Sequence, residues 1–411
     1  MRRPPLLGVP SLLALLTLSA APAWAQCGPV VVAENGLNQA DAFAEAFDVD
    51  DDWLIVAAPR DNAVAPSGGA AWIYHQQDEQ WALHTKLVPT DLGSQALFSH
   101  ARVAIDYPWA FAGSLWEKAP TPSDRGVVRV YHHEAETDQW SLAQRLFLPG
   151  EGPTTSFAGA VEVDDGTLAV SARGSQRLHL YQLDDEQQLW VEQQVLTDPE
   201  PELGGDWLGL AIAAEGGDLA TAVVRPGVGL VAYRFRGQTG ALPSQTYRFI
   251  ERVDFGPSAV QAGRLALGQY GVAVQGFETA TAEASSVFVH REQPDGSVSL
   301  EELVAPDGLG AEFGRALAFA GEGEELLFVG SRAFTPGVGP LGLGFVFRRL
   351  GGEYLLESDF RPTPGYPQLR FGTGARVDDG RLFVATQDRW EPSNSVSGRV
   401  YEFDLLAAPS L

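Results

Sequence analysis

Short stretches of alternating apolar and polar residues, broken by Asp-Gly and other turn pairs, fill this chain, and no stretch sustains a helical period. The pattern predicts strands throughout. Phe157 to Arg173 and Phe371 to Gln387 are near copies, each reading as two strands joined at Asp165-Gly166 or Asp379-Gly380. That dipeptide supplies the positive φ angles a tight hairpin turn needs, while the flanking alternation gives each strand one buried face. A third strand follows at Gly126–Tyr131 and Gly398–Tyr401, and a fourth at Trp81–Leu87 and Trp140–Leu146, where tryptophan and leucine recur at the same spacing.

The four-strand phrase returns at a fixed interval. Its third strand closes on Tyr74, Tyr131, Tyr181, Tyr233, Val289, Phe347 and Tyr401, a period of roughly 55 residues that signals stacked units. One small antiparallel sheet buries too little alone, so the units must lean on one another around an axis. The expected fold is all-β: a seven-bladed β-propeller of four-stranded antiparallel blades. The last phrase shows only three strands, whereas Pro29–Ala33 has the character of a fourth, so the N-terminal strand is expected to complete blade seven.

Arg2-Arg3, an apolar run from Leu6 to Leu18 and Ala23-Trp24-Ala25 read as a secretory signal peptide. The expected division is therefore a leader over 1–25, cleaved near Ala25, and a single propeller over 26–408, secreted or periplasmic. Cys27 is the one cysteine, which excludes an internal disulfide. Its flanks, Gln26 and Trp24, disfavour lipidation there. With 53 acidic against 28 basic residues and a formal net charge of −25, nucleic acid and membrane insertion are poor expectations. A monomer is expected.

Phe313-Gly314 and Phe371-Gly372, with the related Phe43-Ala44, Phe98-Ser99 and Phe157-Ala158, each open a unit, and Val56-Ala-Ala-Pro59, Ala112-Gly-Ser114 and Val329-Gly-Ser331 follow downstream. Trp207-Leu-Gly209 and Phe255-Gly256 mark two more units. In these residues the chain resembles the FG-GAP repeat proteins, the propeller family that includes integrin α heads. The resemblance implies an extracellular adhesion role of bacterial secreted type. Several blades of that family carry calcium loops, but here Asp164-Asp165-Gly166 and Asp378-Asp379-Gly380 leave too few residues to surround an ion taking six to eight ligands. Asp48, Asp50 and Asp52 alternate without a following glycine. No cofactor is expected, and calcium is disfavoured.

The connections between second and third strands are long at 60–69, 114–126, 276–285, 332–344 and 387–398, and long polar loops on a rigid ring are the usual place for recognition. Arg60, Arg173, Arg225, Arg332 and Arg389 open this connection in most blades, including the short ones of blades three and four, with Lys118 nearby in blade two, and Trp116 and Trp390 lie inside long loops. These arginines and tryptophans are the candidate ligand-binding residues, suited to carboxylates, sulfates or sugar rings unless local acids such as Asp61, Glu117, Asp388 and Glu391 pair with them. No catalytic or metal site stands out. His132-His133 with Glu134 and Glu136 reads as a solvated strand end, because adjacent strand residues point to opposite faces. Gly337-Val-Gly-Pro-Leu-Gly342 precedes a strand, not a helix, which removes it as a dinucleotide fingerprint.

The leading expectation is a non-catalytic recognition or adhesion propeller binding protein or polysaccharide through the long-loop face. The alternatives are a glycan-acting enzyme, with Asp61, Glu117, Glu278 and Asp388 as the acids to test, and a structural scaffold of the envelope.

Overall fold

The structure, a computed structural model, describes residues 30–34, 41–100, 103–118, 125–150, 152, 155–204, 211–238, 246–256, 261–277, 285–293, 297–306, 312–321, 323–335, 339–360, 370–387 and 398–404. Within them lie seven sheets, each of four antiparallel strands. Six blades take their strands consecutively from the chain. Blade seven combines Arg370–Asp378, Arg381–Gln387 and Arg399–Asp404 with the N-terminal strand Val30–Glu34.

The residues that set the period occupy equivalent places. Tyr74, Tyr131, Tyr181, Tyr233, Val289, Phe347 and Tyr401 all lie buried on third strands. In blades one, two, three and six the pairing with the fourth strand slips beside that residue. Such bulges raise the local twist that a blade needs to fan away from the axis. Among the described residues seven apolar clusters hold the ring, and each joins one blade to the next. Trp53, Ile55 and Ile73 of blade one, for example, share a cluster with Val103, Ile105 and Tyr131 of blade two.

The Phe-small pairs have an architectural cause. Ala44, Ser99, Ala158, Gly314 and Gly372 all take positive φ, which turns the chain sharply after a fully buried phenylalanine. The phenylalanine backbone then lies against a glycine on the preceding blade. A Cβ on Gly69, Gly126, Gly342 or Gly398 would sit 2.4, 2.4, 1.9 or 1.9 Å from the carbonyl oxygen of Phe98, Phe157, Phe371 or Phe43. Blades can approach this closely only if the residue set against the phenylalanine backbone lacks a side chain. The last of these contacts joins blade seven to blade one.

Phe255-Gly256 behaves differently from expectation. It ends the fourth strand of blade four, Thr246–Gly256, where Gly256 pairs with Leu230, and does not open blade five. Trp207-Leu-Gly209 lies outside the described residues.

Ring closure uses both backbone and side chains. Val30, Val31, Ala33 and Glu34 pair with Glu402, Tyr401, Val400 and Arg399, one residue later than the expected strand bounds. Val32, 3% exposed, enters a cluster that includes Phe383 and Val400 of blade seven and Phe47 and Tyr74 of blade one. Trp81 Nε1 donates to Glu402 at 2.9 Å across the same seam.

Candidate active site

The innermost strand of each blade ends in a tight turn, and all those turns emerge on one face around the axis, opposite the long loops. Acids recur at these ends: Asp50, Asp106, Asp164, Glu215 and Asp378, with Glu324 in the turn of blade six. Together with Asp48, Glu162 and Arg376 they line a vestibule of about 750 Å³, within the range of small-ligand pockets.

Most of these acids fasten one blade to the next. Asp50 accepts the backbone N–H of Tyr107 at 2.6 Å, Asp106 accepts that of Gly166, Asp164 accepts that of Gly217 at 2.8 Å, and Glu324 accepts that of Tyr270 at 2.6 Å. Each staple satisfies a turn N–H that a water-facing loop would otherwise leave to solvent. Glu215 has no hydrogen-bond partner among the described residues. It stands exposed in the vestibule.

Arg376 crosses the middle of the channel. Its Nε donates to Asp48 of blade one at 2.9 Å, and its Nη2 donates to both oxygens of Glu162 on blade three at 3.0 and 3.1 Å. Nη1 has only a 3.5 Å contact to the carbonyl of Ala375, which leaves donors for a ligand. Glu162 first, and Asp48 after it, hold the guanidinium more firmly charged than usual. On the far side of this bolt a smaller cavity is lined by Glu45, Arg264 and Arg315, so the two ends of the channel differ in charge.

Burial pushes the Asp106 carboxyl up to about 6, and the charges of Asp50, Asp164 and Asp165 add to the effect. Asp50, Asp164 and Asp378 are also raised by burial, against the N–H groups or, for Asp378, the Arg381 that they meet. Glu215 is raised by the surrounding protein, then by Asp164 and Glu324, with Arg376 pulling the other way. Asp106, raised to about 6, is the group of this set poised for proton transfer close to neutrality.

The raised carboxyls make a pH prediction with a definite sign. Asp41, Asp48, Asp50, Asp106, Asp164, Glu215, Glu301 and Asp378 are all raised, whereas Asp138, Glu200, His75 and His290 are lowered. A raised carboxyl binds a proton in the folded state that the unfolded chain has already released, so its contribution to stability falls as pH rises through the window. For Asp41 and Asp106 that window runs from about 4 to about 6, worth on the order of 1 kcal/mol each after solvent screening. Thermal melts should give a midpoint higher at pH 5 than at pH 8. A midpoint that rises toward pH 8 would contradict the assignment.

The residues singled out from sequence lie elsewhere. Arg60 and Trp116, both exposed, do share a cleft on the long-loop face with Lys118. Arg173 is exposed in the short helical turn Arg173–Ser175. Arg225 is buried, bound to Asp198, to Tyr233 Oη at 2.9 Å and to the carbonyl of Gly204 at 2.7 Å, which takes it out of reach of any ligand. Arg332 sits on the strand Leu326–Thr335 opposite Gly342. Arg389 and Trp390 lie outside the described residues, as do Glu278 and Asp388. The other two acids are neutralised locally: Asp61 by Lys86 at 2.6 Å, and Glu117 by Arg129 and Arg145, each at 2.7 Å. Asp48 and Asp50, weighed as calcium ligands, are engaged by Arg376 and by the backbone N–H groups of Ile105 and Tyr107.

No protein-family model and no curated protein sequence matches the chain. Its fold is similar to that of a Lactobacillus plantarum protein, with a TM-score of 0.51, 13% identity and coverage of 78% of this chain and 86% of the other. It is also similar to the periplasmic gluconolactonase of Pseudomonas aeruginosa, with a TM-score of 0.50, 14% identity and coverage of 77% and 84%. At such identities the likeness establishes the propeller fold.

Two expectations are corrected here. The FG-GAP resemblance fails, because no family model supports it and the similar solved folds include a gluconolactonase. The Phe-small pairs that suggested it are what close blade packing demands. The reading of a non-catalytic adhesion module fails with it. The poised titratable groups gather in the channel, on the face opposite the long loops.

Proposed function

We propose that this protein is an exported carbohydrate-acting hydrolase, and that the reaction its channel suits best is the hydrolytic opening of a sugar lactone. The observation carrying this reading is Arg376, a cation held between Asp48 and Glu162 with N–H donors to spare, lining the same vestibule as Glu215, whose carboxyl has no hydrogen-bond partner among the described residues. A gluconolactonase among similar folds supports it, as does a polar vestibule of sugar size.

In the proposed reaction Glu215, as carboxylate, takes a proton from water as the water oxygen bonds to the lactone carbonyl carbon. The carbonyl oxygen gains negative charge, which the free N–H groups of Arg376 stabilise. The bond from carbonyl carbon to ring oxygen then breaks, and the departing alkoxide takes the proton held by Glu215 or by Asp106. Water has been added across one ester bond, giving a hydroxy acid. The staples of Asp50 and Asp164 keep the turns around the substrate in place. The leader over 1–25 would deliver the enzyme outside the cytoplasm.

The test is proton release from glucono-δ-lactone and related sugar lactones, followed with a pH indicator against the buffer rate, with aryl glycosides run in parallel. Glu215→Gln should lower kcat/KM about 100-fold to 10,000-fold while the variant melts like the parent at pH 7. Lactone turnover indistinguishable from buffer, or a Glu215→Gln variant as fast as the parent, would overturn the assignment. Cleavage of aryl glycosides alone would replace the lactone by a glycoside.

A further inference from the structure

Far out from the axis, blades one and two bring three metal-binding side chains together from three different elements. His84 stands on the outermost strand of blade one, Gln80–Leu87. His133 stands on the third strand of blade two, Arg125–Glu134, and Asp138 occupies the turn leading to the fourth, Gln139–Leu146. His84 Nε2 lies 3.0 Å and His133 Nε2 3.1 Å from the same oxygen, Asp138 Oδ1. One ligand atom from each residue lies within 4.8 Å of the others.

We propose that His84, His133 and Asp138 form a binding site for a borderline divalent metal ion of the zinc type, tying blade one to blade two. Neighbouring ligands about 2.0–2.1 Å from one zinc ion stand roughly 3 Å apart, the spacing that each histidine nitrogen already has from Asp138 Oδ1. Little movement is needed to admit the ion. Two imidazoles and one carboxylate favour zinc, nickel or copper over calcium or magnesium, which take oxygen ligands.

The surroundings hold the ligands in place. His133 Nδ1 lies 3.1 Å from Tyr107 Oη, the outer hydrogen bond that fixes a ligating imidazole when Nε2 binds metal. Trp53 lies against His75, Tyr107, His133 and Trp140, with ring centroids 4.0, 5.1, 5.0 and 5.5 Å away, and so walls the inner side. The side chains of His133 and His84 are 4% and 12% exposed, whereas Asp138 is 73% exposed. The ligands therefore combine two rigid strand positions with one accessible carboxylate. An open cleft lined by His75, Gln77 and Thr85 leaves a fourth position for water or another ligand.

The expectation that His132-His133 is a solvated strand end holds for neither residue fully. The two do point to opposite faces, as strand geometry requires, but His132 packs on Trp109 at 4.4 Å while His133 is buried at the seam between blades.

The experiment uses untagged mature protein, stripped with a chelator and titrated calorimetrically with zinc in a calcium-containing buffer. One equivalent should bind with a dissociation constant of about 1 μM or tighter, and the melting midpoint should rise with zinc. Cobalt should give the visible bands of a low-coordinate site. His84→Ala and Asp138→Asn should weaken zinc binding at least 10-fold, and His132→Ala should leave it unchanged. His133→Ala risks the packing around Trp53, so Asp138→Asn, on an exposed turn, decides if the histidine variants fold poorly. No binding up to about 1 mM zinc, affinity unaffected by Asp138→Asn, or equal competition by calcium would overturn the site.

Discussion

Deleting residues 26–35 should lower the melting midpoint of the entire ring by roughly 5 °C or more, in one cooperative transition with no early fraying of blade seven. The segment carries the strand Val30–Glu34, whose backbone pairs with Arg399–Asp404. Without it that strand becomes an open edge, and the seam loses Val32 from the cluster shared by blades seven and one. Burying one valine is worth about 1.5–3 kcal/mol. The lost ladder bonds add about 0.5–1.5 kcal/mol apiece. A total near 5 kcal/mol is a large part of what keeps a domain folded. The loss is global because the side contacts at the seam, Trp81 to Glu402 and Arg381 to Gln76, depend on two blades that would no longer be tied by a strand. Val32→Asp should reproduce most of the effect without shortening the chain, since it places a charge in an apolar cluster. Calorimetry of both variants provides the check. An unchanged midpoint would mean that the ring closes by packing alone.

What was legible in the sequence was the blade, and what was not was the axis. The recurrence of Tyr74, Tyr131 and their counterparts reports residues in equivalent places, so strand number, blade number and the closing strand followed from one phrase read seven times. Periodicity says nothing about which equivalent positions face one another. Asp48 and Arg376 are 328 positions apart, and Glu162 and Arg376 are 214 apart, yet one guanidinium group joins all three. A signal was present but was read only in part. Asp164-Asp165-Gly166 is the tight turn that its residues demand, and its first aspartate is also an inter-blade staple. Acids at the same point in blades one, two, four and seven could have marked the channel mouth. The loop arginines misled for a related reason. Arg225 opens a loop, but Asp198 and Glu200 from the preceding connection fold over it with Tyr233, and a buried ion pair results where a free cation was expected. The FG-GAP resemblance rested on residues that blade packing itself selects, which made an architectural signature look like a family one.

Replacing Arg376 by leucine should have the second large effect, and its pH dependence is what distinguishes it from loss of packing. The guanidinium offsets the negative charges of Asp48 and Glu162 and opposes the upward push on Asp48 and Glu215. Removing it leaves Asp48, already buried, as an uncompensated charge, a change that costs about 3–5 kcal/mol in fully buried pairs. Arg376 is 37% exposed, so roughly 1–3 kcal/mol is expected at pH 8 after screening. The carboxyls left behind move further up. Carboxyls with raised folded values give stability that is present below the window and lost as pH rises through it. The variant should therefore melt close to the parent at pH 5 and well below it at pH 8. A packing defect would lower both midpoints equally. Arg376→Lys should fall between the two, because one ammonium cannot reach both acids in the forked geometry that Nε and Nη2 provide. In the lactone assay Arg376→Leu should lose about 100-fold to 1,000-fold in kcat at every pH at which it is folded. If it turns over like the parent at pH 5, where its stability is restored, Arg376 only braces the channel and the charge developing on the substrate must be met by another group.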